Sequence, residues 1–135
     1  VTPPDVKRPP AVWEYELPGG WTVWAGKTDR DNDHLTCKVA RNDDLWFHLR
    51  GAPGSHVVLF VREGVPPPRE AVEAAAAIAA WHSKARNGGV VAVSCCAARD
   101  VSKPRGVPAG TVQIHRERVV KVRPGLPEGA TLPTA

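Results

Sequence analysis

The chain has 135 residues, 42% hydrophobic and 24% charged, which suits one globular core and is too apolar for a disordered polymer. A domain of this size buries roughly 68–70% of its unfolded surface, so it needs no disulfide or metal staple, and no apolar run approaches the roughly 20 residues of a membrane span. The formal charge of +4 hides an asymmetry: residues 1–82 carry nine Lys/Arg against eleven Asp/Glu, whereas residues 83–135 carry nine against three, the footprint of a polyanion binder or of a solvated basic surface with no partner, between which composition alone does not decide.

Residues 1–12 and 124–135 hold four and three prolines without hydrophobic periodicity and are expected to be flexible tails around a folded domain at 13–123. Trp13-Glu14-Tyr15-Glu16-Leu17 alternates apolar with acidic residues, the period of a half-buried strand. Pro18-Gly19-Gly20 turns the chain into a returning strand, Trp21 to Ala25. Any Asx residue between Asp29 and Asp33 can cap a short helix carrying Leu35 and Val39 on one face. Leu45 to Leu49 is strand-like, and Pro53-Gly54 fits the centre of a type II turn. His56 to Val61 is nearly continuous in apolar character and is expected in the middle of a sheet.

Arg69 to Arg86 contains no Gly or Pro and is rich in alanine, which predicts one long helix stopped by Asn87-Gly88-Gly89. Val90 to Cys95 reads as another buried strand, Ala97 to Ala109 as a basic loop, and Thr111 to His115 with Arg118 to Val122 as a final hairpin. The fold class expected is α+β: a mainly antiparallel twisted sheet packed by one long Ala-rich helix, plus a short helix. Cys37, Cys95 and Cys96 are odd in number and two are adjacent, a pattern of reduced thiols that points to a cytoplasmic protein.

The basic loop is the most informative constellation. Arg99, Lys103 and Arg105 alternate with Pro104, Gly106, Pro108 and Gly110, which fix the loop while letting its backbone approach a phosphate closely. Lys84 and Arg86 add charge from the helix end, and Trp46, His48 and His56 offer flat or hydrogen-bonding surfaces for an unstacked base. These cations are expected to converge on one patch, so that replacing Lys103 and Arg105 with alanine weakens RNA binding with little change in Tm. The alternative is an RNA-processing or RNA-modifying enzyme with His48 and His56 in acid–base roles, near Ser55 and Asp44. Ser55 lacks the glycines of a nucleophile elbow, no paired carboxylates stand at adjacent strand ends, and Cys95-Cys96 lacks the spacing of a closed zinc site. Neither catalysis nor any cofactor or metal is expected.

Four blocks, in order, resemble the NFACT-R domain family. They are Gly26-Lys27 with Asp31-Asn32-Asp33; Asp44 to His48 followed by Pro53-Gly54-Ser55-His56-Val57; Ala79 to Arg86; and Val101 to Gly106 with Pro108-Ala109-Gly110-Thr111-Val112. The resemblance implies an RNA-binding module of ribosome quality-control factors, which rescue stalled ribosomes on the large subunit and recruit tRNA. It implies tRNA or large-subunit ribosomal RNA as ligand and the large ribosomal subunit as a partner, with no membrane and no DNA specificity. Pro53, Gly54, Ser55, Pro104, Gly106 and Gly110 are then motif residues that shape the domain. Nothing here matches those factors' N-terminal module or coiled coil, so the resemblance implies a domain that is either stand-alone or excised.

Overall fold

The computed structural model describes residues 10–127. In chain order it contains β1 (Val12–Leu17), β2 (Trp21–Gly26), α1 (Asp29–His34), β3 (Leu45–Leu49), β4 (Val57–Leu59), α2 (Arg69–Trp81), β5 (Val91–Ala97), β6 (Val101–Ser102), β7 (Gln113–Ile114) and β8 (Arg118–Val122). Six strands form one antiparallel sheet in the order β1-β2-β4-β3-β5-β8, and β6 pairs with β7 as a separate ribbon.

Side chains of period two divide the core into two clusters on opposite faces of this sheet. One face presents Tyr15, Val23, Phe47, Leu59 and Val93 to the alanines and Ile78 of α2. The other presents Trp46, Val58 and Cys96 to Leu35, and is closed by Val39 and by Val101, Val112 and Ile114 around the β6–β7 ribbon. Both faces of the central strands are therefore covered, which accounts for the unbroken apolar run of β4.

Several expectations change. The N-cap of α1 is Thr28, whose hydroxyl accepts from the Asp31 N–H, rather than an Asx residue. Leu35 and Val39 sit one turn further on, in a wider π turn closed by Ala40 N–H donating to Leu35 O at 2.9 Å. The helix expected to run to Arg86 is 13 residues long and ends at Trp81. Tertiary bonds override propensity there. Ser55 N–H donates to His82 O at 2.9 Å, Lys84 N–H to Pro53 O at 3.0 Å, and the Ser83 hydroxyl to Ala80 O at 2.6 Å, so the Pro53–Ser55 turn captures the chain.

The final hairpin does not form. β8 pairs with β5, which puts Val120 and Val122 on the α2 cluster, while β7 pairs with β6. Most of each expected tail lies outside the described residues, but Val12 already belongs to β1 and Leu126 packs on the α2 cluster. No described helix is long and apolar enough to cross a membrane.

Candidate nucleic-acid interface

Where α2 ends, β1 and the Pro53–Ser55 turn enclose an open cavity of about 370 Å³, within the size range of small-ligand pockets. Its aromatic wall is Trp13, stacked on His82 with ring centroids 4.3 Å apart and planes 11° apart. His82 is the C-cap of α2, and the Tyr15 hydroxyl lies 2.7 Å from its Nε2. Burial, reinforced by the Arg86 charge, lowers the His82 pKa to about 4. Burial also raises Tyr15 to about 12. Both groups therefore stay neutral, and the hydrogen bond between the phenol and Nε2 locks the ring that supports Trp13.

Three cations rim the cavity: Lys27, Lys84 and Arg86. The Lys27 ammonium lies 5.5 Å from the Trp13 ring centroid. The Arg86 guanidinium lies over Trp81 at 4.5 Å, and its Nε donates to Trp81 O at 2.7 Å. Among the described residues no carboxylate pairs with Lys27, Lys84 or Arg86, whereas Asp29 is the acidic residue in the wall. Asn32, Thr28 and Ser83 supply amide and hydroxyl groups to the same cavity.

A second, buried network ties this cavity to the basic loop. Trp46 Nε1–H donates to Thr36 Oγ1 at 3.1 Å, and Thr36 Oγ1 lies 2.8 Å from His56 Nδ1. His56 Nε2 lies 3.0 Å from Gly110 O. A carbonyl can only accept, so His56 carries its proton on Nε2 and accepts a hydrogen bond from the Thr36 hydroxyl at Nδ1. Burial lowers its pKa to about 4, with the nearby His48 adding to the effect. Gly110 in turn donates to Asp33 Oδ1 at 3.0 Å and lies against Asp29, in a positive-φ conformation (84°) that leaves no room for a Cβ.

The cations of the sequence reading are thus divided. Lys84 and Arg86 meet at the cavity. Lys103 turns inward, paired with Asp33 at 3.2 Å and bonded to Pro108 O and Thr111 O, so it closes its own loop. Arg99 pairs with Asp43 beyond the Leu45–Ala97 end of the sheet, whereas Lys84 and Arg86 lie near the Leu49–Val93 end. Arg105 is exposed, with no ion pair among the described residues. One common patch for all five is therefore not formed. Trp46 and His56 are 2% and 1% exposed and present no ring face to solvent; His48 is half-buried against both. Lys103→Ala is accordingly expected to lower stability by about 1–2 kcal/mol, a fall in Tm of roughly 4–8 °C by thermal melting, because charge-assisted bonds are lost.

Trp13 and His82 were outside the expected site. A tryptophan at the start of a strand and a histidine in an apolar stripe read as core packing. Their meeting depends on α2 stopping at Trp81, which local propensity does not show.

The molecule is thus a small α+β module with an aromatic wall rimmed by three cations that have no carboxylate partner among the described residues, the type of surface that holds a polyanion. The chain belongs to the NFACT-R family: the model of the NFACT protein RNA binding domain matches residues 12–116. It is 39% identical over 115 residues to the Rqc2 homolog RqcH of Bacillus subtilis (strain 168), covering 85% of this chain and 20% of that protein. To the Rqc2 homolog RqcH of Streptococcus suis (strain 05ZYH33) it is 37% identical over 106 residues, covering 78% and 19%. The chain thus spans about a fifth of the length of these curated relatives. A solved structure, the C-terminal part of the fibronectin/fibrinogen-binding protein from Streptococcus suis, superposes with a TM-score of 0.80 at 35% identity, covering 89% of this chain and 47% of that one.

Proposed function

We propose that this domain binds RNA at the Trp13 cavity, with Lys27, Lys84 and Arg86 holding phosphates, as a non-catalytic module of a cytoplasmic ribosome quality-control factor. The ligand is tRNA or large-subunit ribosomal RNA. The observation that carries this reading is the convergence of three cations, without carboxylate partners among the described residues, on one cavity where Lys27, the Pro53-Gly54-Ser55 turn and His82-Ser83-Lys84 meet. Commitment of both ring nitrogens of His56 to Thr36 and Gly110 favours a positioning role for that histidine over acid–base chemistry.

Three phosphate contacts release counterions with a log–log salt slope of about −2, taking roughly −0.7 per contact for single strands. Replacing Lys27 and Lys84 together with glutamine leaves the Arg86 cap of α2 in place. This change is expected to weaken binding of labelled tRNA about tenfold and to flatten the slope by about 1.4. Unchanged affinity and slope in the double variant would place the interface elsewhere. Labelled tRNA is expected to stay intact at high protein concentration with and without divalent metal.

A further inference from the structure

We infer that the cavity at the end of α2 is a single-nucleotide site, in which one unpaired base of the RNA stacks on Trp13 while its phosphate lodges between Lys84 and Arg86. The inference rests on the RNA-binding reading and goes further: it makes the domain a reader of an extruded base rather than of backbone charge alone.

His82 stacks on the Trp13 ring at 4.3 Å, and the ammonium of Lys27 lies over the same indole at 5.5 Å from its centroid. Trp13 and Lys27 both line the cavity, and an exposed lysine on a flexible stem is the kind of occupant a flat base can displace. The ammonium then swings towards the phosphate, adding to the charge of Lys84 and Arg86. Stacking on an indole tolerates any base, because every base has a π-face. Of the polar side chains in the same cavity, the Thr28 and Ser83 hydroxyls are engaged by Asp31 and by Ala80 and Ala85, and Asn32 Oδ1 by the His56 N–H, so the site favours a stacked base without selecting its identity.

The platform is rigid around His82. His82 is held by Tyr15, its carbonyl by the Ser55 N–H, and Ser83 lies directly against Gly54. A Cβ on Gly54 would stand 2.8 Å from Ser83 Cβ and 3.2 Å from His82 O, so that wall has no slack. A volume of about 370 Å³ is of the size that takes a small ligand such as one nucleotide. Duplex RNA would meet the rim cations without entering.

The test is an NMR titration of the 135-residue chain, following the indole N–H signal of Trp13, assigned by its absence in Trp13→Phe. Adenosine 5′-monophosphate, ribose 5-phosphate, a blunt RNA duplex and the same duplex with a single-stranded overhang are compared. The nucleotide is expected to bind about tenfold more tightly than ribose 5-phosphate and to move the Trp13 signal. The overhang is expected to move it and the blunt duplex is not. Trp13→Ala is expected to abolish the tenfold preference, Trp13→Phe to keep most of it, and Lys84→Gln to weaken both small ligands alike. RNA that binds with the expected salt slope while the Trp13 signal ignores nucleotide and overhang overturns the single-nucleotide site and leaves the RNA-binding reading standing. A Trp13 response to the nucleotide with no binding of either RNA does the reverse.

Discussion

Gly26→Ala is expected to destabilise the domain by about 2–6 kcal/mol and to weaken RNA binding in step with the loss of fold. Gly26 is buried at the end of β2, and a Cβ there would run into the Asn32 side-chain oxygen, with Asn32 N at 3.0 Å and Asn32 Cα at 3.1 Å. Backbone atoms of a helix cannot step aside as a flexible side chain can, so α1 as a whole has to move. That motion breaks the bond from His56 N–H to Asn32 Oδ1, now 3.0 Å, and leaves a buried donor without a partner. Overpacking costs about 1–3 kcal/mol and an unsatisfied buried donor about 1–3 more. Gly26 also donates to His56 O and accepts from the Ser55 hydroxyl, so the site is clamped between β4 and the Pro53–Ser55 turn. Gly125→Ala, at a position with nothing within 4 Å and no positive φ, is the control and should stay within about 0.5 kcal/mol of the parent. Urea unfolding of the two variants side by side checks this; equal midpoints would mean that Asn32 and α1 are not held as the structure places them.

Patterns set by immediate neighbours were legible in the sequence. The β1–β2 hairpin follows from alternation around Pro18-Gly19-Gly20, β3 from the Leu45–Leu49 run, and the start of α2 at Arg69 from the prolines before it. What was not legible depends on distant partners. β8 looks like half of a hairpin by sequence distance, yet its pairing is decided by where Val120 and Val122 find apolar cover. The end of α2 is decided by the Pro53–Ser55 turn, which is nearly 30 residues away in sequence. The site shared this fate. Charge made Lys84 and Arg86 visible, but charge also marked Lys103 and Arg99, and only the positions of Asp33 and Asp43 show that these two are already engaged. Trp46 and His56 carry flat, hydrogen-bonding rings, yet both are buried in the chain of bonds that runs from Trp46 through Thr36 and His56 to Gly110 O, which no local pattern shows.

The second large effect is acid destabilisation across pH 6.5 to 4, with His56 and His82 as its sources. Both are buried, both are hydrogen-bonded as neutral rings, and both have pKa values lowered from 6.5 to about 4 in the folded protein. Below pH 6.5 the unfolded chain takes up protons on these imidazoles and the native state does not, so stability is present in full above 6.5 and drains away until the native rings titrate near 4. A shift of that size corresponds to about 3 kcal/mol per histidine. The two together approach the whole of a typical domain's stability of roughly 5–15 kcal/mol. His48, lowered mainly by burial, acts in the same direction. Urea midpoints at pH 7.5, 6, 5 and 4 should therefore fall steeply, and far-UV circular dichroism near pH 4 should show partial unfolding. His82→Phe separates the two sources. It keeps a flat ring beneath Trp13 but removes the titrating group, so its stability should lie below the parent at pH 7.5, where the Tyr15 bond is missed, and fall about half as steeply with acid. Parallel pH profiles for the parent and His82→Phe would show that the ring under Trp13 is protonated as readily in the folded chain as in the unfolded one. The neutral Tyr15–His82–Trp13 stack would then no longer account for the rigidity of the cavity.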